Sequence, residues 1–188
     1  MSAVPESVRF NYQDLLQTPD DGRRYEVAEG DLLVSPAPNP RHQRVLFELA
    51  QLLAAHVRRL ALGTVYVAPV DVKFSDESVV EPDIVYLSNA KADGVLEKFI
   101  AVPPDLAVEV LSESSRARDF GEKMKLYARN GVPHYWIVDP DARRLWEYTL
   151  SGGAYGQARE LDDAATFEPA LFPGLAISLS EVFGPPRK

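Results

Sequence analysis

Between Asn39 and Leu60 the apolar positions recur at helical spacing. Val45, Leu49, Leu52, Leu53 and Leu60, with His56 among them, share one face, and Phe47, Ala50, Ala54 and Val57 widen it. The pattern predicts a largely buried helix, capped by Asn39, with Pro40 in its first turn and Gly63 closing it. Elsewhere the period drops to two. Residues 25–27 and 32–35 flank Glu29-Gly30-Asp31 and predict a small hairpin, followed by a stiff loop, Ser35-Pro-Ala-Pro-Asn-Pro. Residues 64–74 and 79–87 predict a second hairpin around Ser75-Asp-Glu-Ser. Residues 88–105 show one short helix and then Pro103-Pro104. Residues 106–111 form a strand that is apolar throughout except for Glu109. A second helix is predicted over 115–130, with Phe120, Met124, Tyr127 and Ala128 inward and Gly131-Val132-Pro133 as its stop. A fourth strand over 134–138 and a terminal hairpin, 143–150 with 154–160 around Ser151-Gly152-Gly153, precede a docking tail that runs to Phe183.

This order predicts an α/β (α+β) architecture: one mixed β-sheet flanked by helices, with added N- and C-terminal hairpins. No internal repeat, low-complexity tract or linker interrupts it, so residues 1–188 are read as a single domain. Residues 1–10 lack the basic start and apolar run of a signal peptide. The most apolar stretch, 45–57, is broken by Glu48, Gln51 and His56 and is too short to span a bilayer. The expectation is a cytoplasmic protein without a membrane partner.

Charge and composition narrow the chemistry. Lys and Arg number 20 against 28 Asp and Glu, a net charge of −8. The excess argues against a general nucleic-acid coat or a polybasic membrane patch. With no cysteine there is no disulfide framework, thiolate zinc site or thiol nucleophile, and the three histidines are far apart in sequence. Two segments run against the acidic trend. Residues 113–130 carry Arg116, Arg118, Lys123, Lys125 and Arg129 against Glu113, Asp119 and Glu122, and residues 41–59 carry four arginines against Glu48. Either stretch offers phosphate contacts, although a solvated helix face accounts for both counts.

The strands hold an anomaly. Carboxylates are depleted from strand interiors and costly when buried unpaired, yet Asp83 opens Ile84-Val85-Tyr86-Leu87 and Glu109 sits inside Leu106-Ala-Val-Glu-Val-Leu. If these strands pair, both acids reach one end of the sheet, a natural seat for a hard divalent cation. The alternative is that Asp83 caps a turn and Glu109 meets an Arg or Lys. Asp119 and Lys123, four apart, share a helix face. They are either a surface ion pair or a lysine leaning over the two acids, the composition of a metal-dependent phosphodiester site.

Several blocks together are familiar: Pro104-Asp-Leu-Ala-Val-Glu-Val-Leu-Ser, Arg118-Asp-Phe-Gly-Glu-Lys, and Tyr127-Ala-Arg-Asn-Gly-Val-Pro-His-Tyr-Trp-Ile-Val-Asp-Pro. Upstream stand Arg24-Tyr-Glu-Val-Ala-Glu-Gly-Asp-Leu, Ser35-Pro with His42, and Glu81-Pro-Asp-Ile. From residue 12 to 183 the chain resembles the Uma family of restriction endonuclease-like proteins, within the PD-(D/E)XK nuclease superfamily. The resemblance implies a restriction-endonuclease-like core and a metal-dependent endonuclease acting on DNA with Mg²⁺ or Mn²⁺. It assigns Asp83 and Glu109 to the two acidic half-motifs and Glu26 to an additional acid. The Val110 carbonyl becomes a further metal ligand. The lysine expected two residues after Glu109 is replaced by Leu111, and Lys123 on the following helix matches the displaced position.

That displacement is physically reasonable, because Glu109 and Leu111 leave the same face of their strand, where a helix-borne ammonium can take the empty place. The rival Lys125 lies about 200° further round the helix. His42, Arg116 and Arg118 are possible substrate contacts, with helix capping an equal use for His42. Asp71 is a candidate for the metal surroundings. Ser112, Ser114 and Ser115 form a polar loop able to hold a phosphate. His56 reads as a core histidine, and Asp139 as a turn residue. Cutting both strands of a duplex favours a homodimer. A competing reading is a non-catalytic nuclease-like module that binds nucleic acid or a protein partner. Glycoside hydrolysis by paired carboxylates leaves Lys123 without a task.

Overall fold

The computed structural model describes residues 8–185; residues 1–7, on which the expectation of no signal peptide largely rests, lie outside the described residues. The chain opens with a short helix α1 (Tyr12–Leu15) capped by Asn11, then the hairpin β1 (Arg24–Ala28) and β2 (Asp31–Ser35). The long helix α2 (Pro40–Arg59) follows, with Asn39 Oδ1 accepting from the Arg41 and His42 N–H groups at its start. Strands β3 (Gly63–Val67), β4 (Val72–Ser75), β5 (Ser78–Val80) and β6 (Ile84–Ser88) come next. After a 3₁₀ turn at Asn89–Gly94 the chain forms β7 (Leu106–Val110), α3 (Arg116–Asp119), α4 (Glu122–Arg129) and β8 (His134–Asp139). It then makes β9 (Arg144–Ser151), β10 (Ala154–Tyr155) and β11 (Arg159–Asp162). β12 (Thr166–Phe167), β13 (Ile177–Ser178) and α5 (Leu179–Phe183) end it.

The expected mixed sheet is present, in the order β10-β9-β8-β7-β6-β3 with β11 also on β9. Only β7 and β8 pair in parallel, and α3 and α4 supply the crossover that a parallel pair requires. Both faces of its centre are covered, which is why these strands read as unbroken apolar runs. On one face Ile84, Tyr86, Leu106, Val108 and Trp136 meet α2 and the tail residues Phe167, Phe172 and Phe183. On the other, Val85, Leu87, Ala107 and Ile137 meet Leu126 and Tyr127 of α4 and a second sheet, β2-β1-β5-β4. Among the described residues no helix is long and apolar enough to cross a membrane.

Three local expectations need correction. The hairpin of residues 64–74 with 79–87 is divided between the sheets. Its outer arms pair as β3 with β6, while its tip, β4 with β5, joins β1. Pro69 and Pro82 stand at the two breaks, each lacking the N–H that would continue a ladder. The second helix is cut into α3 and α4 at Gly121, where a Cβ would stand 2.8 Å from the Ala117 carbonyl oxygen. Phe47 on α2 and Leu60 just past its end are exposed, because the sheet covers only the stripe centred on Val45, Leu49 and Leu53.

Gly63 carries β3 against β6 at a distance no side chain tolerates. A Cβ there would lie 2.0 Å from the Leu87 carbonyl oxygen, on a backbone with φ of 155°. Gly63→Ala is therefore expected to cost about 3 kcal/mol or more, the upper end for forcing atoms into filled space. Urea unfolding followed by circular dichroism measures it.

Candidate active site

Asp83 stands one residue before β6 and Glu109 lies on β7. The antiparallel register sets Ile84 opposite Val108, and one more step brings Asp83 beside Glu109. Both are buried, at the floor of a cleft of about 380 Å³ between the loop of residues 35–39 and the loop of residues 112–115.

Asp83 is tightly held. Its Oδ2 accepts the Val110 N–H at 2.7 Å, and its Oδ1 accepts from Arg24 Nη1 at 2.9 Å. His42 Nε2 lies 3.3 Å from the same Oδ1, close enough for attraction but off line for a hydrogen bond, and neither ring nitrogen has a hydrogen-bond partner. Burial pushes the Asp83 carboxyl up, but His42, Arg24 and the Val110 N–H outweigh it and leave the group below the ordinary aspartate range. Arg24 also reaches Glu81, with Nε 2.6 Å from Oε1. Burial raises Glu81 to about 7 against the pull of Arg24, with Glu26 and Asp71 adding to the rise.

Lys123, at the start of α4, points into the cleft, whereas Lys125 is exposed. Its Nζ lies 2.6 Å from Glu109 Oε1 and donates to Glu26 Oε1 at 2.9 Å. Burial works against the ammonium, but Glu109, Glu26 and Asp119 overcome it and hold Lys123 above the ordinary lysine range, so it stays charged. Burial moves Glu109 the other way, well above the ordinary glutamate range, with Lys123 opposing and the neighbouring acids Asp119, Asp83 and Glu26 reinforcing the rise. Tyr127 donates to the same Glu109 Oε1 at 2.6 Å.

The expected residues therefore separate. Asp83, Glu109, Val110, Glu26, Lys123, His42 and Arg118 all line the cleft. Glu26 is turned to Lys123 and to the Glu81 N–H, which it accepts at 2.8 Å. Among the described residues no group of three His, Asp or Glu side chains is arranged to hold a metal ion, and Glu26 shares its Oε1 between Lys123 and the Glu81 N–H. Arg118 bridges to Ser35 Oγ at 2.7 Å and the Val34 carbonyl at 3.3 Å, with no carboxylate partner among the described residues. Arg116 lies outside the cleft, paired with Asp139 and stacked on Phe120 and Trp146. Asp71 is also outside the lining, and burial raises it with Glu26 adding. Asp119 is a buried cleft residue, not half of a surface pair with Lys123. Sequence reasoning missed Arg24 and Tyr127 as site residues. The signals were present: Arg24 alternates in phase with Glu26 on β1, and Tyr127 is four residues beyond Lys123.

The donor set suits a hard cation. Glu109 Oε1 takes both Lys123 and Tyr127, while Oε2 has no hydrogen bond from the described residues in a side chain that lines the cleft. Two carboxylates and a carbonyl are the ligand complement of Mg²⁺, which keeps several of its waters. The one imidazole in the lining, His42, has its Nε2 beside Asp83 at 3.3 Å, so oxygen atoms dominate the donor set.

The site thus sits on a mixed sheet of an α+β protein, with paired carboxylates and a lysine at the carboxyl end of its parallel strands. The family model Uma2, described as "Putative restriction endonuclease", matches residues 12–180, and the chain belongs to that family. The fold is also that of a crystal structure described as "a putative nuclease belonging to DUF820", from Anabaena variabilis. It aligns with a TM-score of 0.77 and 18% identity, over 93% of this chain and 97% of that one. No curated protein matches the chain.

Proposed function

We propose that the protein is a divalent-metal-dependent endonuclease that hydrolyses phosphodiester bonds in DNA. The observation that supports it most is the pairing of buried Asp83 and Glu109 on adjacent strands, with Lys123 Nζ 2.6 Å from Glu109 at the floor of an open cleft. Asp83, Glu109 and the Val110 carbonyl would hold Mg²⁺ or Mn²⁺. When bound, such an ion supplies Lewis acidity and lowers the pKa of a bound water.

The remaining work falls to the chain itself. Lys123 is held protonated, so it acts as a hydrogen-bond donor and fixed positive charge, orienting the attacking water and offsetting charge that grows on the phosphate. Glu26 anchors Lys123 from the smaller sheet. His42 and Arg24 favour the ionised form of Asp83, and Arg24 holds its Oδ1. Arg118, which makes no salt bridge among the described residues, is the group offered to a phosphate at the mouth, while His42 lines the cleft from a buried position beside Asp83.

The test is cleavage of plasmid and linear DNA with Mg²⁺ or Mn²⁺ as the only divalent ion. Nicking or cutting that stops with EDTA, and is absent in Asp83→Ala, is the expected result. Cleavage that continues in EDTA would overturn the reading. So would Mn²⁺ binding without cleavage of any substrate, which is the behaviour of a non-catalytic module.

A further inference from the structure

Helix α4 brings two donors to one oxygen. Lys123 and Tyr127 are four residues apart, so both side chains leave the same helix face one turn from each other. Both end on Glu109 Oε1, at 2.6 Å from Nζ and 2.6 Å from the Tyr127 hydroxyl. Tyr127 is fully buried, its ring edge-on to Phe74 at 6.1 Å and tilted against Tyr135 at 5.0 Å. A tyrosine in such a place needs a partner for its hydroxyl. The Val132 carbonyl lies nearby in sequence, but the Tyr155 hydroxyl takes it. Tyr127 is spent on the carboxylate.

We infer that Tyr127 is a positioning residue for Glu109: with Lys123 it pins Oε1 on the protein side and leaves Oε2 for the cleft. This rests on Glu109 being a metal ligand, as proposed above. The doubled contact has a second effect. Lys123 can lean toward a substrate phosphate without stripping Oε1 of every donor, because the tyrosine bond stays. Without the hydroxyl, Lys123 becomes the only donor on a buried carboxylate oxygen and is held there, while the carboxylate gains freedom to rotate. Partners of this kind are worth about 10–100-fold in metal affinity.

The test uses the full chain and Mn²⁺ alone, measured by titration calorimetry and by the electron paramagnetic resonance of free Mn²⁺. Tyr127→Phe keeps the ring and removes only the hydroxyl. Tyr135→Phe is the control, since the Tyr135 hydroxyl is equally buried but donates to the Asp119 carbonyl at 2.9 Å. Both variants lose one buried hydrogen bond, so their Tm values should fall alike. Mn²⁺ binding tenfold or more weaker in Tyr127→Phe, with Tyr135→Phe at the wild-type level, is expected. Wild-type affinity in Tyr127→Phe overturns the inference, as does equal weakening in both variants, or a Tyr127→Phe chain whose Tm falls much further than that of Tyr135→Phe. If the wild-type protein binds no Mn²⁺, or Glu109→Gln binds it undiminished, the metal reading itself fails and takes the inference with it.

Discussion

Lys123→Met is expected to cost the fold about 3–5 kcal/mol at neutral pH, the range for removing one partner of a buried ion pair. The side chain is 3% exposed and its single positive charge is shared by two carboxylates, so methionine fills its volume but leaves Glu26 and Glu109 without the ammonium between them. The deficit should depend on pH with a definite sign. Glu109 is already raised in the folded protein, and loss of Lys123 raises it further. A carboxyl raised on folding lends most stability when protonated, so the variant approaches the wild type as pH falls and diverges as pH rises through the raised value. Chemical unfolding at a series of pH values reads this directly, and a pH-independent gap would contradict it. Cleavage should fall on the order of 10²–10³-fold, as when a fixed transition-state donor is lost.

Glu109→Gln should produce the opposite pairing of effects. Glutamine keeps an acceptor for Lys123 and Tyr127, and it removes a charge that burial disfavours. Stability at neutral pH should therefore hold or rise. The gain opens above about pH 4.3, where unfolded glutamate ionises, and is complete above the raised folded value. Activity should drop by roughly 10³-fold, because a metal contributes several kcal/mol to the transition state and about 1.4 kcal/mol is a factor of ten. Thermal melts and cleavage assays on one preparation test both halves. A variant that is less stable and equally active would remove Glu109 from the site. Such a trade marks a residue kept for chemistry at the expense of the fold.

The Asp83–Glu109 half of this site was legible because it breaks local rules. An aspartate opening one apolar strand and a glutamate inside another need a reason, and adjacent strands bring such residues together. Lys123 was separable from Lys125 by helix angle, and burial divides them the same way. The other half was hidden because it depends on which sheet a strand joins. Alternation in residues 64–87 says strand, but it does not say that β4 and β5 will leave β3 and β6 to meet β1. That departure is what carries Arg24 and Glu26 onto the site. Asp119 beside Lys123 in the helix looked like a surface pair, since spacing cannot report that the smaller sheet closes over α4. Phe47 looked buried for a related reason: periodicity finds a face but not the width of what covers it.

The pairing of Lys123 with Glu26 joins residues 97 apart in the chain, and Arg24 with Asp83 joins residues 59 apart. Contacts of such span repay their loop-closure entropy only once both ends have been ordered. The cleft therefore cannot be completed piecemeal during synthesis: β1 can pair with β2 as soon as both are made, but Glu26 has no ammonium to hold until α4 has been added. A chain that stops before α4 carries Glu26 and Glu109 without the lysine that sits between them. An incompletely made copy therefore lacks the finished cleft, which closes only with the last docking event.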